Sequence, residues 1–540
     1  MKRKNGHLLK MKKKPIPVID LFAGPGGLGE GFSSIFNDNE RIFKIKLSIE
    51  KDENAYETLK LRSFYRQFPK DKIPNEYYEV LRASDLKQRE LIKEALFSKY
   101  SSEYDNVLKE VWKAELGSEN FPEDEVDKRI KIALKGDRDW VLIGGPPCQA
   151  YSMAGRSRVG GIKDDDPRVY LYKEYLRIIA KHHPSVFVME NVKGLLSAQI
   201  DDKPIFDLIL RDLKKPAKAI KKSSSPKYKI FSLSNEFEEI DKKGNPIYKA
   251  PKDFLINSEK YSIPQKRHRV ILLGIRDDIN SLPQTLIEQK PISLESIIGM
   301  MPKIRSGIYR KLDNTTIENG KKRRHYSSIQ DTDETWETYV NQYLTELNKH
   351  EEFKDCILNN ISSPLNEKGS EFVSASKTIS PNHKLKKWFI DPNLKGLPNH
   401  HSRSHLLSDI KRYLFSSIYT SIYSSFPRMK DYQKFDKELL PDHKSALTGK
   451  FADRFRVQLA NEPATTVTSH ISKDGHYFIH YDPEQCRSLT VREAARIQTF
   501  PDNYLFCGSR TAQYHQVGNA VPPYLAKQIA EVVKLMFNGK

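Results

Sequence analysis

The sequence has few cysteines and no long apolar run. Its 540 residues include four cysteines, Cys148, Cys356, Cys486 and Cys507, with no Cys-x-x-Cys pair. This usage argues against a disulfide framework and a structural zinc site. No segment approaches the roughly 20 apolar residues of a membrane span, and the basic N-terminus lacks the apolar core of a signal peptide. We therefore expect a cytoplasmic protein without a metal or membrane contact.

Acidic residues are also in deficit. The chain has 90 Lys and Arg against 70 Asp and Glu, a formal net charge of +20 and a pI near 9.4. Such an excess favours a polyanionic partner, most simply nucleic acid. The alternative is a lysine-rich composition that spreads charge for solubility alone. The length predicts a large core and more than one domain.

Short apolar runs alternate with helical stretches over residues 16–275. This pattern is typical of an α/β fold with a parallel sheet covered on both faces. Two charged stretches, about 87–138 and 214–252, are expected to be insertions, the first on the surface and the second a hairpin or mobile loop. We predict the strands at residues 17–22, 44–49, 79–83, 140–143, 185–189, 254–257 and 270–275.

The character of the chain changes after residue 279. Residues 280–485 are polar and irregular, and we expect some helices and short strands there. Helical patterning returns near residue 487, followed by a tight turn at 516–523 and a last helix to about residue 537. The sequence therefore predicts a first domain over residues 1–279, a smaller second domain over 280–485 and a C-terminal segment over 486–540.

A lone cysteine follows a rigid turn in the stretch Val-Leu-Ile-Gly-Gly-Pro-Pro-Cys, residues 141–148. The apolar strand would end at the carboxyl edge of the sheet, where ligands of open α/β sheets bind. The two prolines fix the backbone ahead of the thiol. Cys148 is thus a candidate nucleophile, although most free cysteines are buried and inert.

A glycine-rich turn follows the first predicted strand in the sequence Asp-Leu-Phe-Ala-Gly-Pro-Gly-Gly, residues 20–27. Glycines allow a nucleotide-like ligand to approach the backbone closely. Glu50, after the second strand, is placed to bind a ribose diol, and Asp85, after the third, to accept from an adenine amine. Two acids without basic groups for phosphate suit a nucleoside such as S-adenosylmethionine (AdoMet). The alternative is that both acids only solvate loops.

Five motifs in order carry a family resemblance: residues 20–27, 146–149, 190–192, 265–269 and 516–519. The chain resembles bacterial cytosine-5 DNA methyltransferases over about residues 16–535. The resemblance implies a Rossmann-like AdoMet-dependent catalytic domain with a mostly parallel sheet and an irregular target-recognition domain at 280–485. The C-terminal segment would fold back to complete the cofactor pocket. The chain departs from many relatives at Lys51, where they carry an aromatic residue.

The resemblance also implies the chemistry. Cys148 would add to C6 of a cytosine flipped out of double-stranded DNA, and C5 would then take the methyl group. Glu190 would act at N3 and N4 and Arg269 at O2. Arg267 would support the site or hold a phosphate. Sequence choice would lie in residues 280–485, where residues 465–468 resemble the threonine-containing core of recognition domains.

Further residues follow from the motifs. The predicted cofactor contacts are Asp20, Phe22, Ala23, Gly24, Gly26, Gly27, Glu50, Asp85, Leu86, Pro146, Asn519 and Ala520. The predicted DNA contacts are Gln149, Ser152, Arg156, Arg158, Arg168 and Gln265. The histidine-rich residues 399–405 lack ligand spacing for zinc, so we expect hydrogen bonds within the fold or DNA contact there.

Two other functions stay open: an RNA cytosine-5 methyltransferase, and a DNA-binding protein that keeps the fold without catalysis. The large 280–485 region favours duplex DNA, and Cys148, Glu190 and Arg269 favour catalysis. We expect a monomer acting on double-stranded DNA as the modification enzyme of a restriction-modification system or an orphan relative. A cognate restriction endonuclease would be a functional partner.

Overall fold

The structure is a computed structural model. It describes residues 14–147, 167–200, 203–221, 224–319, 321–353, 358–441 and 454–537. None of the helices in these ranges combines the length and apolarity needed to span a bilayer.

Strands and helices alternate in the first half of the chain. The strands are β1 Ile16–Leu21, β2 Phe36–Asn37, β3 Glu40–Arg41, β4 Phe43–Glu50, β5 Val111–Lys113, β6 Val141–Gly144, β7 Val186–Val192, β8 Gln199–Ile200, β9 Lys203–Pro204, β10 Tyr228–Phe231, β11 Glu239–Ile240, β12 Pro246–Ile247, β13 Leu255–Asn257, β14 Gln265–Lys266 and β15 His268–Arg276. The helices are α1 Gly27–Ser33, α2 Glu53–Arg66, α3 Asn75–Arg82, α4 Leu86–Lys99, α5 Ser101–Glu110, α6 Glu123–Leu134, α7 Pro167–His182, α8 Ile205–Lys214 and α9 Pro216–Ala219.

One eight-stranded sheet organises this half. Its order is β10-β15-β7-β6-β1-β4-β5, and β13 pairs with β15 outside this path. Strands β7, β6, β1, β4 and β5 are parallel, whereas β15 runs antiparallel to both β7 and β10. The expected α/β fold with a mostly parallel sheet is confirmed. The carboxyl ends of β1, β4, β6 and β7 therefore meet at one edge.

Neighbouring residues of β1 face opposite layers of the core. Ile19 packs in a cluster with residues of α6, α7 and α8, and Val18 packs in one with residues of α1 and the C-terminal helix. Both faces of the strand are thus covered, which explains its continuous apolar sequence.

The predicted strand at 79–83 is wrong. These residues belong to the end of helix α3 and its C-cap, where Tyr77, Tyr78, Val80 and Leu81 form a buried stripe at helical spacing. The edge strand after β4 is instead β5, which lies inside the stretch predicted as a surface insertion, 87–138. The stretch 214–252 likewise contributes β10 to the sheet and keeps only the short hairpin β11–β12.

The second half contains helices and mostly short strands, as expected for residues 280–485, but β16 has 12 residues and is longer than predicted. The strands are β16 Gly307–Glu318, β17 Lys321–Ser328, β18 Gly369–Ser374, β19 Gly396–His401, β20 Ser404–Leu406 and β21 Ala464–Thr465. The helices are α10 Leu294–Ile298, α11 Asp333–Leu347, α12 Lys386–Phe389, α13 Leu407–Tyr423, α14 Met429–Phe435, α15 Val491–Ile497, α16 Arg510–Asn519 and α17 Pro523–Leu535. For the histidine-rich residues 399–405, the predicted hydrogen bonding within the fold is confirmed at His400, whose ring lies 3.0 Å from Thr490 Oγ1.

The end of the chain returns to the first sheet. Leu525, Ile529 and Val533 of α17 share a core cluster with Val18. The turn expected at 516–523 is shorter than predicted, because Gln516 to Asn519 belong to α16. The domain boundaries at residues 279 and 485 stay predictions.

Candidate active site

The glycine turn sits at the carboxyl end of β1. Phe22 has a φ of 55°, a left-handed backbone that is uncommon outside glycine and typical of functional sites. Gly24 has a φ of 56°, and a Cβ there would meet no atom within 4 Å. A methyl on Gly27 would overlap the backbone oxygen of Val521, which precedes α17. The side of the turn at Gly27 therefore packs against Val521, whereas the side at Gly24 is open.

Glu50 ties this turn to the end of β4. Its Oε2 accepts a hydrogen bond from the Gly24 N–H at 2.8 Å, and its Oε1 accepts from the Lys51 and Asp52 N–H groups at 2.9 and 2.8 Å. Burial raises the pKa of Glu50, while the backbone donors oppose that effect. The structure thus brings together the two features predicted to bind a nucleoside.

Asp85 is not at the sheet edge. Its side chain accepts from the Gln88 N–H at 2.7 Å and caps helix α4, and Leu86 beside it is exposed. The prediction that Asp85 accepts from the adenine amine, with Leu86 as a further cofactor contact, therefore rests on a strand at 79–83 that the structure shows to be helical. After β5, the acid that occupies the corresponding place is Glu115, which the sequence reasoning missed because it missed β5.

A cavity of about 440 Å³ opens at the ends of β4 and β5. Glu115 and Lys51 form an ion pair there, with 2.8 Å between Oε1 and Nζ. Phe121 supplies an aromatic wall. The cavity begins directly after Glu50, the last residue of β4, and its volume suits a nucleoside with an extended substituent. The lining residues are Lys51, Asp52, Glu53, Lys113, Ala114, Glu115 and Phe121.

The turn after β6 leads towards the predicted nucleophile. Pro146 is buried and Pro147 is half-buried. Cys148 lies outside the described residues, as do Gln149, Ser152, Arg156 and Arg158, and the structure describes Arg168 only as part of helix α7.

Glu190 and Arg269 meet beside this turn. Arg269 Nε lies 2.8 Å from Glu190 Oε1 in a largely buried ion pair. The antiparallel ladder fixes this pair, because it places Val192 opposite Arg269 and Ile271 opposite Glu190. A Cβ at Gly145 would lie 3.0 Å from Glu190 Oε2, so the carboxylate faces the backbone three residues before Cys148. Three separate motifs therefore converge at one edge of the sheet.

Comparison with known proteins agrees with this geometry. The family described as C-5 cytosine-specific DNA methylase matches residues 90–216 and 235–535. The type II methyltransferase M.Bpa9945I of Bacillus paralicheniformis is 32% identical over 97% of this chain and 99% of its own length. The chain belongs to the C-5 cytosine-specific DNA methylase family.

Two more relatives extend the similarity. The type II methyltransferase M.DdeI of Desulfomicrobium norvegicum is 26% identical over 81% of this chain and 85% of its own. The DNA (cytosine-5-)-methyltransferase M.ApeKI of Aeropyrum pernix is 24% identical over 76% of this chain and 84% of its own. The protein is a DNA cytosine-5 methyltransferase, and its family and fold imply AdoMet as the methyl donor.

Arg267 of the methyltransferase is buried and links two backbone segments. Its Nη1 donates to the backbone oxygens of Val467 at 2.7 Å and Gly518 at 3.2 Å. Burial and the nearby charge of Arg269 lower its pKa. A side chain 2% exposed is not available to a phosphate, so of the two predicted roles only support of the site fits.

Gln265 is not a DNA contact. It is fully buried, its amide donates to Gln498 Oε1 at 2.6 Å, and its Oε1 accepts from the Val467 N–H at 3.1 Å. This side chain links β14 to α15 and to the threonine-containing segment 465–468. The prediction of a DNA contact is wrong because every polar atom of this amide faces the interior of the methyltransferase.

Two further predicted cofactor contacts, Asn519 and Ala520, lie in the C-terminal segment just before Val521, which packs against the glycine turn. Ala520 is buried, and the exposed Asn519 contacts His515 Nδ1 at 3.2 Å. Tyr504, which the sequence reasoning missed, donates its hydroxyl proton to the Pro25 oxygen. The C-terminal segment of the methyltransferase therefore supports the turn from two places.

Asp20 differs from the other predicted cofactor contacts because its carboxyl group is buried and has no partner in the part of the chain that the structure describes. It is 1% exposed, and neither carboxylate oxygen has a hydrogen-bond partner among the described residues. Burial raises the pKa of this carboxyl to about 8, the charge of Arg66 opposes the rise and that of Glu50 adds to it. The ionised form of Asp20 is therefore disfavoured in the folded protein. The described residues contain no group of three or more His, Cys, Asp and Glu arranged to hold a metal ion.

Proposed function

We propose that this enzyme methylates C5 of a cytosine that is flipped out of double-stranded DNA, with Cys148 as the nucleophile. The observation that carries the proposal is the Glu190–Arg269 ion pair, held against the Gly145 backbone just before Cys148. A paired base inside a duplex cannot reach a pocket formed by three strand ends, so the target base must leave the stack.

The reacting groups have distinct tasks in this proposal. The Cys148 thiolate forms a bond to C6, which moves electron density onto C5 and towards N3 and O2. Glu190 holds a proton at N3 and accepts a hydrogen bond from the N4 amine, and Arg269 neutralises charge at O2. Once C5 has accepted the methyl group, loss of the C5 proton to water or hydroxide and breaking of the sulfur–C6 bond restore the aromatic ring and release Cys148. Arg267 positions this constellation through Val467 and Gly518.

We assign the cofactor to the cleft between the glycine turn and the end of β5. AdoMet supplies an electrophilic methyl group when it is bound. Glu50 would accept both ribose hydroxyls, and the open backbone at Gly24 would lie against the sugar or the amino-acid part. Glu115, in place of Asp85, would accept the adenine amine, and Phe121 would cover the ring in place of an aromatic residue at position 51.

The biological setting follows from the relatives' names. M.Bpa9945I and M.DdeI are type II methyltransferases. We propose that this enzyme is likewise the sequence-specific modification member of a restriction-modification system, or an orphan relative, with a cognate endonuclease as functional partner. It would act as a monomer on DNA in the cytoplasm.

Base-resolution conversion sequencing of a methylation-free bacterial host that expresses the enzyme tests this proposal. We expect a short motif protected at one cytosine throughout the genome. Cys148→Ala should remove all protection, whereas the matched variant Cys486→Ala, which removes a cysteine from a core cluster of the second half of the chain, should retain it. Protected cytosines in RNA instead of DNA, or full protection by Cys148→Ala, would refute the proposal.

A further inference from the structure

The acids at the ends of β4 and β5 are held in different ways. Both oxygens of Glu50 accept hydrogen bonds from backbone N–H groups, so the backbone fixes the direction of this carboxylate. Glu115 lies two residues after the end of β5, and its side chain is about half exposed. Among the described residues, the one hydrogen-bonding or ionic partner of its carboxylate is Lys51. The direction of the Glu115 carboxylate therefore depends on a single lysine side chain.

Lys51 connects these two carboxylates. Its backbone N–H donates to Glu50 Oε1 at 2.9 Å, and its Nζ lies 2.8 Å from Glu115 Oε1. The second lysine that lines the cavity, Lys113, contacts Glu53 instead. One residue thus joins the carboxylate assigned to the ribose to the carboxylate assigned to the adenine amine.

The ion pair leaves one oxygen of Glu115 available to a ligand. Each oxygen of a carboxylate can accept hydrogen bonds, and the hydrogen bond from Lys51 reaches Oε1. Oε2 can therefore accept from the exocyclic amine of adenine while Nζ holds Oε1. Without the lysine, an exposed glutamate side chain would take several rotamers, and ordering one of them on binding costs free energy.

We propose that Lys51 is a positioning residue: it holds the Glu115 carboxylate in the direction that accepts the adenine amine, and so favours adenine over a base without that amine. An ion pair this exposed adds little to folding stability, because water screens both charges. Its effect should therefore appear in ligand binding. This inference rests on the proposed function, because it takes the cavity at the ends of β4 and β5 as the adenine site.

Calorimetric titration of the full-length protein with two ligands tests this role. S-adenosylhomocysteine carries the exocyclic amine, and S-inosylhomocysteine has a carbonyl oxygen in its place. Lys51→Met keeps an unbranched side chain without the charge, and Lys51→Arg keeps the charge. Lys260→Met is the matched control, because Lys260 and Glu288 form a similarly exposed ion pair of 2.9 Å, and neither residue lines the cavity.

We expect Lys51→Met to weaken binding of S-adenosylhomocysteine about fivefold and of S-inosylhomocysteine less than about twofold, so the preference for adenine falls. Higher ionic strength should weaken S-adenosylhomocysteine binding by the wild type more than by Lys51→Met, because salt screens the ion pair. Lys51→Arg and Lys260→Met should both bind S-adenosylhomocysteine within about twofold of the wild type, since one keeps a cation beside Glu115 and the other leaves the pair intact.

Three results would overturn the positioning role. Equal losses for both ligands would place the effect of Lys51 on a part that they share. A gain in S-adenosylhomocysteine affinity for Lys51→Met would mean that the ion pair obstructs Glu115. In a Glu115→Ala background, Lys51→Met should cause no further loss, and an undiminished loss there would show that the lysine acts independently of Glu115.

Two controls separate the ways in which the inference can fail. An unchanged thermal midpoint shows that each variant is folded. If the wild type binds S-adenosylhomocysteine and Lys51→Met binds it equally well, this inference alone fails. If the wild type does not bind S-adenosylhomocysteine, the cofactor assignment of the proposed function fails, and the inference with it.

Discussion

Replacing Asp20 by asparagine should stabilise the enzyme, and increasingly so as pH rises. The carboxyl is buried without a hydrogen-bond partner among the described residues, and its pKa is raised from 3.8 to about 8. Between these values the unfolded chain carries an ionised carboxylate and the folded chain a protonated one. The stability that Asp20 contributes is therefore fully present below pH 4 and is lost as pH rises through 8.

The magnitude follows from the pKa shift. Each pH unit in that window removes about 1.4 kcal/mol of folding free energy. Between pH 5 and pH 8 the wild type should lose about 4 kcal/mol through Asp20, and Asp20→Asn should lose none of it, since an amide does not titrate. At roughly 1–2 °C per kcal/mol for a chain of this length, the thermal midpoints should diverge by about 4–8 °C.

Thermal unfolding of both proteins, followed by circular dichroism at pH 5, 6, 7 and 8, measures this divergence. Asp71→Asn, at an exposed loop position, is the matched control and should change stability by less than about 0.5 kcal/mol. A difference between Asp20→Asn and wild type that stays constant with pH, or that shrinks as pH rises, would refute the reasoning.

Three more predictions concern the turn, the cofactor cavity and the buried glutamine. Gly27→Ala forces a methyl against the Val521 oxygen, and should cost about 1–3 kcal/mol and weaken S-adenosylhomocysteine binding; an unchanged melting curve would contradict this packing. Measured by calorimetry, Glu115→Ala should weaken binding of S-adenosylhomocysteine about tenfold. Asp85→Ala should lose only the N-cap of helix α4, worth about 1 kcal/mol of stability. A larger loss of affinity for Asp85→Ala than for Glu115→Ala would restore Asp85 as the residue that binds the adenine amine. Gln265→Ala should lower the free energy of unfolding by about 2 kcal/mol, because the buried partners of Gln265 lose their hydrogen bonds. The salt dependence of DNA binding, measured by fluorescence anisotropy, should not change.

Local sequence patterns predicted every strand of the sheet except β5 and β10. The strands around Val18 and Val188 have continuous apolar runs, and the strand around Ile45 alternates apolar and polar residues, so all three can be recognised without tertiary information. Glu50 follows its strand directly, so its position at the edge was predictable, and the structure shows it bonded to the glycine turn.

Long-range pairing explains what the sequence did not reveal. Strand β5 has three residues, and only its pairing with β4, from Val111 opposite Ser48 to Lys113 opposite Glu50, makes it part of the sheet. Its omission moved the adenine assignment from Glu115 to Asp85. The burial of Gln265 and Arg267 depends on residues at least 200 positions later, and a short polar motif carries no information about such partners.

The direction of β15 determines which changes in length the site can tolerate. Because β7 and β15 run antiparallel, their ladder alone sets the separation of Glu190 and Arg269. The 75 residues between the two strands, 193–267, can lengthen or shorten without moving this pair. A single residue inserted in β15 between Arg269 and Arg276 would instead turn Arg269 to the opposite side of the sheet. Natural variation among such enzymes should therefore accumulate in that connection and avoid the strand.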